Sequence, residues 1–461
     1  MSVLERVIVI GIGIGSGFGS GAGSGFGVGE ARAQELDLTG EVGVAGGLTA
    51  DDAARRAVTA SHTVAGARAE EAAAESDVAG TRLEFLPRVT LSGRYTRLSP
   101  TDDAEIEGLP TPMPVTIPGA LANQWSAGIQ VGVPVSDYLV RLPAATAARR
   151  HAARAAAAMT EAGRLGAAAG ARVAYYEWAR VRLAAVVAER ARLQAVEHVE
   201  LARRRLAASS ATLADVLLAE ARVAEREQLV VEARTGAAVA EKRLRLALGD
   251  PGAAPLAIGE DVLAPVAPLA AGDDAVARAL AARPELRALA ERTAALDEQR
   301  RLERARYLPR LDLVGNAAYA NPHPRAFPQE DDWRTAWDVS AVLTWSLDDA
   351  ARGREARRGL DARARAADAE RRRAADDITL EVTHAAARVE QATQAIASSA
   401  RVLAAATEAY RVRKRLYEVG SATSTELGDA DTELVRARYG VLDAHIDLRV
   451  ARALLAAALG R

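Results

Sequence analysis

The residue types that could do chemistry in this chain are histidines and carboxylates, and their spacing argues against catalysis. The six histidines, His62, His151, His198, His323, His384 and His445, are scattered, with no H-E-x-x-H and no partner at ligand spacing. They read as residues of solvated helix faces or loops, so no metal site is expected. Carboxylates are abundant but stand among arginines at helical spacing, where ion pairing accounts for them. There is no P-loop and no G-x-S-x-G. Between Gly11 and Gly29 glycine falls on every odd position, so G-x-G-x-x-G is never met and no cofactor is expected. One pair stands apart: Glu426 and Asp429 lie three residues apart on one helix face, just after a break at Gly420, Ser421 and Thr423. They could hold cations, but acids in a first helical turn also simply suit the macrodipole. Asp215, after a similar break, reads equally well as a helix-cap residue.

Composition narrows the class. The chain has 461 residues, 49% hydrophobic and 26% charged, with net charge −2, no cysteine and 4% aromatics. Alanine dominates the apolar fraction, and the only lysines are Lys242 and Lys414. Alanine, arginine, glutamate and leucine together are helix-forming. An aromatic enzyme core is not expected, and near-zero charge argues against a nucleic-acid partner. Zero cysteine excludes disulfides, thiolate metal sites and cysteine lipidation. No spanning apolar helix follows the N-terminus. Residues 1–33 read as an export signal, with Arg6, a short apolar core and Ala31-Arg32-Ala33 before Gln34.

The chain is written twice. Leu86-Pro87-Arg88 and the alternating residues after it align with Leu308-Pro309-Arg310 at an offset of 222. Trp125 aligns with Trp337, Ser209-Ser210-Ala211-Thr212 with Gly420-Ser421-Ala422-Thr423, and Leu248-Gly249 with Leu459-Gly460. Two repeats follow, 34–250 and 273–461, joined by a linker at 251–272. In each, a helical segment of about 35 residues stops at Pro87 or Pro309. Strict alternation then marks strands at about 87–97, 124–135, 309–319 and 333–346, the length a tilted strand needs to cross a bilayer. Tyr95, Trp125, Tyr319, Trp333, Trp337 and Trp345 fall at or near strand ends, as in an interfacial aromatic girdle. The opposite faces carry Arg88, Thr90, Ser92, Arg94, Asp312 and Asn316. After the strands each repeat is helix, with one break, at 209–213 or 420–425. Arms of about 65–70 and 35–40 residues make rods of about 100 Å and 55 Å.

Four strands cannot close a barrel, and unpaired edges in hydrocarbon are costly. Strands that span must therefore be pooled between chains. The duplicated grammar, above all Tyr417-x-x-Gly420-x-x-Thr423-x-x-Glu426-Leu427, is similar to the TolC-type outer-membrane factor family, over nearly the whole mature chain. The first repeat keeps this motif weakly, with Ser209 for the glycine.

The resemblance implies a mainly α protein with a membrane β-barrel. Long helical hairpins would form a periplasmic α-barrel, and four strands per chain would join a shared 12-stranded barrel of a homotrimer. It implies an exit duct in the outer membrane, in contact with lipid, docking at its periplasmic tip on a membrane-fusion adaptor and an inner-membrane pump. It places Glu426 and Asp429 in acidic rings at the tip constriction. It also makes Asp215 and Tyr417 partners in an inter-helix bond that holds the tunnel closed. The arginine that joins that lock in the family is here Ala422, which leaves Arg413 or Arg415 as substitutes. The loops 97–123 and 320–332 should face outside. The rival from another class is a periplasmic coiled-coil scaffold or adaptor whose hairpins form a soluble β domain.

Overall fold

The computed structural model describes residues 38, 40–99, 104–106, 115–117, 121–252, 254–267, 272, 274–326 and 329–461; the leader expected at 1–33 lies outside the described residues. The first repeat runs α1 (Ala50–Ala60), α2 (His62–Leu83), β1 (Arg88–Arg97), the short β2 (Ala104–Ile106) and β3 (Val115–Ile117), and β4 (Asn123–Val133). It continues as α3 (Val135–Leu139), α4 (Arg141–Ala207) and α5 (Leu213–Leu248). The second repeats the plan: α6 (Ala275–Ala282), α7 (Pro284–Arg304), a 3₁₀ turn (Ala305–Tyr307), β5 (Arg310–Asn321), β6 (Arg334–Thr344), α8 (Leu347–Glu418) and α9 (Ser424–Ala458).

The opening helix of each repeat is bent rather than continuous. Ser61 and Arg283 take the same extended backbone, with ψ of 120° and 121°, at the offset of 222 that relates the repeats. Ser61 caps α2 through the Val64 N–H, and Pro284 occupies the first turn of α7, where its missing N–H costs nothing. The sequence reading as one segment missed this bend.

The four long strands form one antiparallel sheet in the order β1-β4-β5-β6, leaving β1 and β6 with free edges, and β2 and β3 pair separately. Register puts Val89, Leu91 and Tyr95 beside Val131, Ile129 and Trp125, and Leu311 and Ala317 beside Leu343 and Trp337. One face is therefore apolar from edge to edge, yet it is exposed: Leu91 77%, Trp337 74%, Val339 70%.

The helices make a wall that changes partners along its length. In the half nearer the sheet α4 packs on α2 and α7, and α7 on α8; in the far half α4 packs on α5 and α9, and α9 on α8. At 67 and 72 residues, α4 and α8 span about 100 Å and bridge both halves. Small side chains allow this close packing: Ala179, Ala188, Ala191, Ala195 and Ala202 are all buried along α4.

The stretch between repeats is part of the core. Ile258 pairs with Leu48 as a parallel bridge, and Ile258, Val262 and Leu263 are buried with Tyr175, Trp178 and Leu183. Gly47 and Gly259 make the close approach possible, since a Cβ on Gly47 would fall 2.7 Å from the Gly259 nitrogen. This packing is at the middle of the wall, and tethers both repeats there.

Candidate functional site: the helical tip and the strand wall

The far end of the wall is built from one turn made twice. After α4, Ser210 N–H donates to Arg205 O and Ser209 N–H to Leu206 O; after α8, Ser421 donates to Leu416 O and Gly420 to Tyr417 O. Both are Schellman turns. Gly420 has φ of 83°, and Ser209 takes the same left-handed region at 54° at a cost of about 1 kcal/mol. Each turn then starts its return helix with a capping box: Thr212 with Asp215, and Thr423 with Glu426.

These caps decide where the expected site residues point. Asp215 accepts from Thr212 N–H (2.9 Å) and Thr212 Oγ1 (2.7 Å), and these bonds hold its carboxyl below the usual range. Glu426 accepts from Thr423 N–H at 2.9 Å and from Arg413 Nη1 at 3.1 Å. The Thr423 backbone bond is the main cause of its lowered pKa, with Arg413 assisting. Asp429 is exposed, 3.7 Å from Arg222 Nη2. Both tip acids therefore sit beside an arginine.

Within this chain Asp215 and Tyr417 do not bond each other. Tyr417 is 2% exposed, its Oη has no partner among the described residues, and the Arg205 guanidinium lies 4.3 Å above its ring. Ala422 packs against Tyr417 and Leu427. Arg413, a candidate substitute for the missing arginine, is engaged with Glu426 instead.

Just above the turns lies a polar cluster that sequence reading missed. Asp431 is buried between the hairpins, accepting from Gln194 Nε2 (2.8 Å) on α4 and Arg226 Nη2 (3.3 Å) on α5. Burial pushes its carboxyl up, and Arg226 opposes the shift. His198 Nε2 and Tyr410 Oη are 2.7 Å apart, joining α4 to α8. Burial, with Lys414, Arg222 and Arg226 nearby, lowers the His198 pKa to about 4. Reading the histidines as solvated is thus wrong for His198, and also for His323 and His445, which are 5% and 2% exposed. The available signal was Asp431 itself: two residues beyond Asp429, it turns about 200° away, into the wall. Among the described residues no acid, histidine and cysteine group is arranged to hold a metal ion.

At the other end the girdle residues gather as pairs. Tyr95 and Trp125 are cross-strand partners with ring centroids 4.3 Å apart, and Tyr95 Oη donates to Asn123 Oδ1. Tyr319 stacks on Trp333 at 4.7 Å. Trp337 stands on the same apolar face, and Trp345, 60% exposed, follows the opposite end of β6. Pro87 and Pro309 sit immediately before β1 and β5, where helix must turn into strand. Below them Phe85 stacks on Tyr138, centroids 5.9 Å apart.

An open sheet with an exposed apolar face, aromatic belts and a helical wall about 100 Å long defines an outer-membrane channel subunit. No described helix is long and apolar enough to cross a membrane. A family model described as outer membrane efflux protein matches residues 53–250 and 275–461, and the chain belongs to that family. No curated protein sequence matches it. Solved structures share its fold. The outer membrane protein VceC from Vibrio cholerae is 18% identical with a TM-score of 0.73, covering 89% of this chain and 96% of its own. The CmeC outer membrane channel of Campylobacter jejuni is 13% identical, TM-score 0.75, over 89% and 85%. The MtrE outer membrane channel of Neisseria gonorrhoeae, in its open state, is 18% identical, TM-score 0.73, over 89% and 88%.

Proposed function

We propose that three copies pool their sheets into one twelve-stranded barrel in the outer membrane and their helices into one periplasmic tunnel, a passive exit duct of a tripartite efflux or secretion machine. The observation that carries this reading is the sheet with two free edges and one apolar face turned outward. Each unpaired backbone group in hydrocarbon costs several kcal/mol, so the edges β1 and β6 must meet other copies. The helical wall supports the same reading. Its outer helices leave Leu217, Val231 and Val239 on α5, and Leu380, Val402 and Val412 on α8, exposed. The chain alone exposes 28273 Å², against roughly 17,000 Å² for a compact monomer of this mass. Partner-bound copies would cover these faces, and the apolar sheet face would meet lipid. The two exposed turns at the tip are where a periplasmic adaptor, and through it an inner-membrane pump, would dock.

The test is cell fractionation followed by gel electrophoresis with and without heating. A heat-modifiable trimer in the outer-membrane fraction is expected. Recovery as a soluble periplasmic monomer would overturn the duct and favour the scaffold.

A further inference from the structure

The polar face of the sheet has an uneven charge. Its strands place Arg88, Arg94, Arg310 and Arg334 there against only Asp312 and Asp338, by register. Both aspartates are committed. Asp312 pairs with Arg310 at 3.2 Å, and Asp338 takes the Asn316 amide at 3.0 Å and the Arg325 guanidinium. Arg334 is held by Glu330 and Asp332 at the strand's end. Arg88 and Arg94 are left exposed, with no ion pair or hydrogen bond from either side chain among the described residues. Their cross-strand neighbours on β4 are Gly132 and Ser126, which offer no carboxylate, and a Cβ on Gly132 would meet nothing within 4 Å. The two guanidinia thus project into open space about 20 Å apart along β1.

The duct reading above makes this face the bore, and the inference rests on it. We propose that Arg88 and Arg94 make the barrel segment prefer anions, so that the exit favours solutes bearing carboxylate or phosphate groups. Three copies set two tiers of three guanidinia around the bore, and fixed charge of one sign in a confined aqueous path concentrates counter-ions there. At the tip, by contrast, Glu426 and Asp429 each stand beside an arginine, whereas on the polar face of the sheet the uncompensated charge lies on β1.

The test uses the purified full chain in planar bilayers under a potassium chloride gradient. Wild type should show a reversal potential displaced toward that of chloride relative to the R88Q/R94Q variant, a severalfold fall in the anion-to-cation permeability ratio. Pyrophosphate added on the barrel side should reduce the wild-type current and spare the variant. R88K/R94K should keep the wild-type selectivity, and R94Q alone should give part of the shift if the double variant assembles poorly. Conducting channels with the same reversal potential in wild type and R88Q/R94Q would overturn the proposal while leaving the duct intact. No conductance from folded trimers of the wild type and of Asp215→Ala alike would overturn the duct reading, and this inference with it.

Discussion

Arg222 occupies the space that a side chain at residue 428 would need: a Cβ on Gly428 would fall 0.5 Å from Arg222 Nη1. The absent side chain lets a guanidinium from α5 lie flat on α9, near Ser424 O (3.5 Å) and Asp429 (3.7 Å). With the Arg226 bonds to Asp431 and Thr432, the notch is one of the bridges between α5 and α9 near the tip.

Gly428→Ala should push Arg222 out of the notch and loosen the tip. Because the chain has no cysteine, a single one introduced at Ser421 gives a unique reporter. Its labelling by a membrane-impermeant maleimide should be faster in Gly428→Ala and in Arg222→Ala. The two changes together should add little beyond either, since they remove the same contact. Full additivity would show that the glycine matters for another reason.

The tip acids separate into a cap and a charge. Glu426→Ala loses the capping box and should cost about 1 kcal/mol of helix stability. Glu426→Gln keeps an acceptor for the Thr423 N–H and removes only charge. The double change Glu426→Gln with Asp429→Asn should therefore shift the permeability ratio further toward anions and weaken block by multivalent cations from the periplasmic side. The effect should be modest, because Arg413 and Arg222 already screen the carboxylates. Unchanged selectivity and block would mean that the acids serve the helix start alone.

Asp215 invites the same dissection. We expect Asp215→Ala to raise the resting conductance, because it frees the α5 start next to the Arg205–Tyr417 stack. Asp215→Asn retains acceptance from Thr212 and should raise it less. Equal conductance in all three proteins would confine Asp215 to capping.

Acid should loosen the cluster above the turns through His198. Its folded pKa of about 4 lies below the unfolded value of about 6.5, so the fold favours the neutral ring. That contribution is complete above pH 6.5 and is lost as pH falls toward 4, by up to about 3 kcal/mol. Asp431 acts in the opposite sense, since its raised pKa makes the ionised form costly at neutral pH and acid relieves that cost. Thermal unfolding at pH 7 and pH 4.5, followed by circular dichroism, should show His198→Gln losing less stability on acidification than wild type. An equal loss would place the acid sensitivity elsewhere.

Much of this protein was legible from periodicity. The four strands lie within two residues of the spans read from alternation, and the helix breaks fall within one or two residues of the Ser209 and Gly420 motifs. Alternation and helical spacing are local properties, set by which face each neighbour takes. The expected tip acids are also where the motif puts them, at the start of α9.

What local pattern could not carry is which distant residues meet. Gly428 reads as an unremarkable helical glycine until Arg222, on another helix, fills its notch. Asp431, His198 and Tyr410 look like exposed helix residues until the two hairpins pack, burying Asp431 and half-burying the other two. The segment 251–272 reads as a linker, yet Ile258 becomes a bridge to Leu48. The repeats, the strand faces and the turns could be read from the order of residues, because backbone geometry makes these follow from neighbours. The tertiary structure alone decided which charges are paired, which are buried and which stay free, because desolvation and ion pairing depend on residues some 200 positions apart.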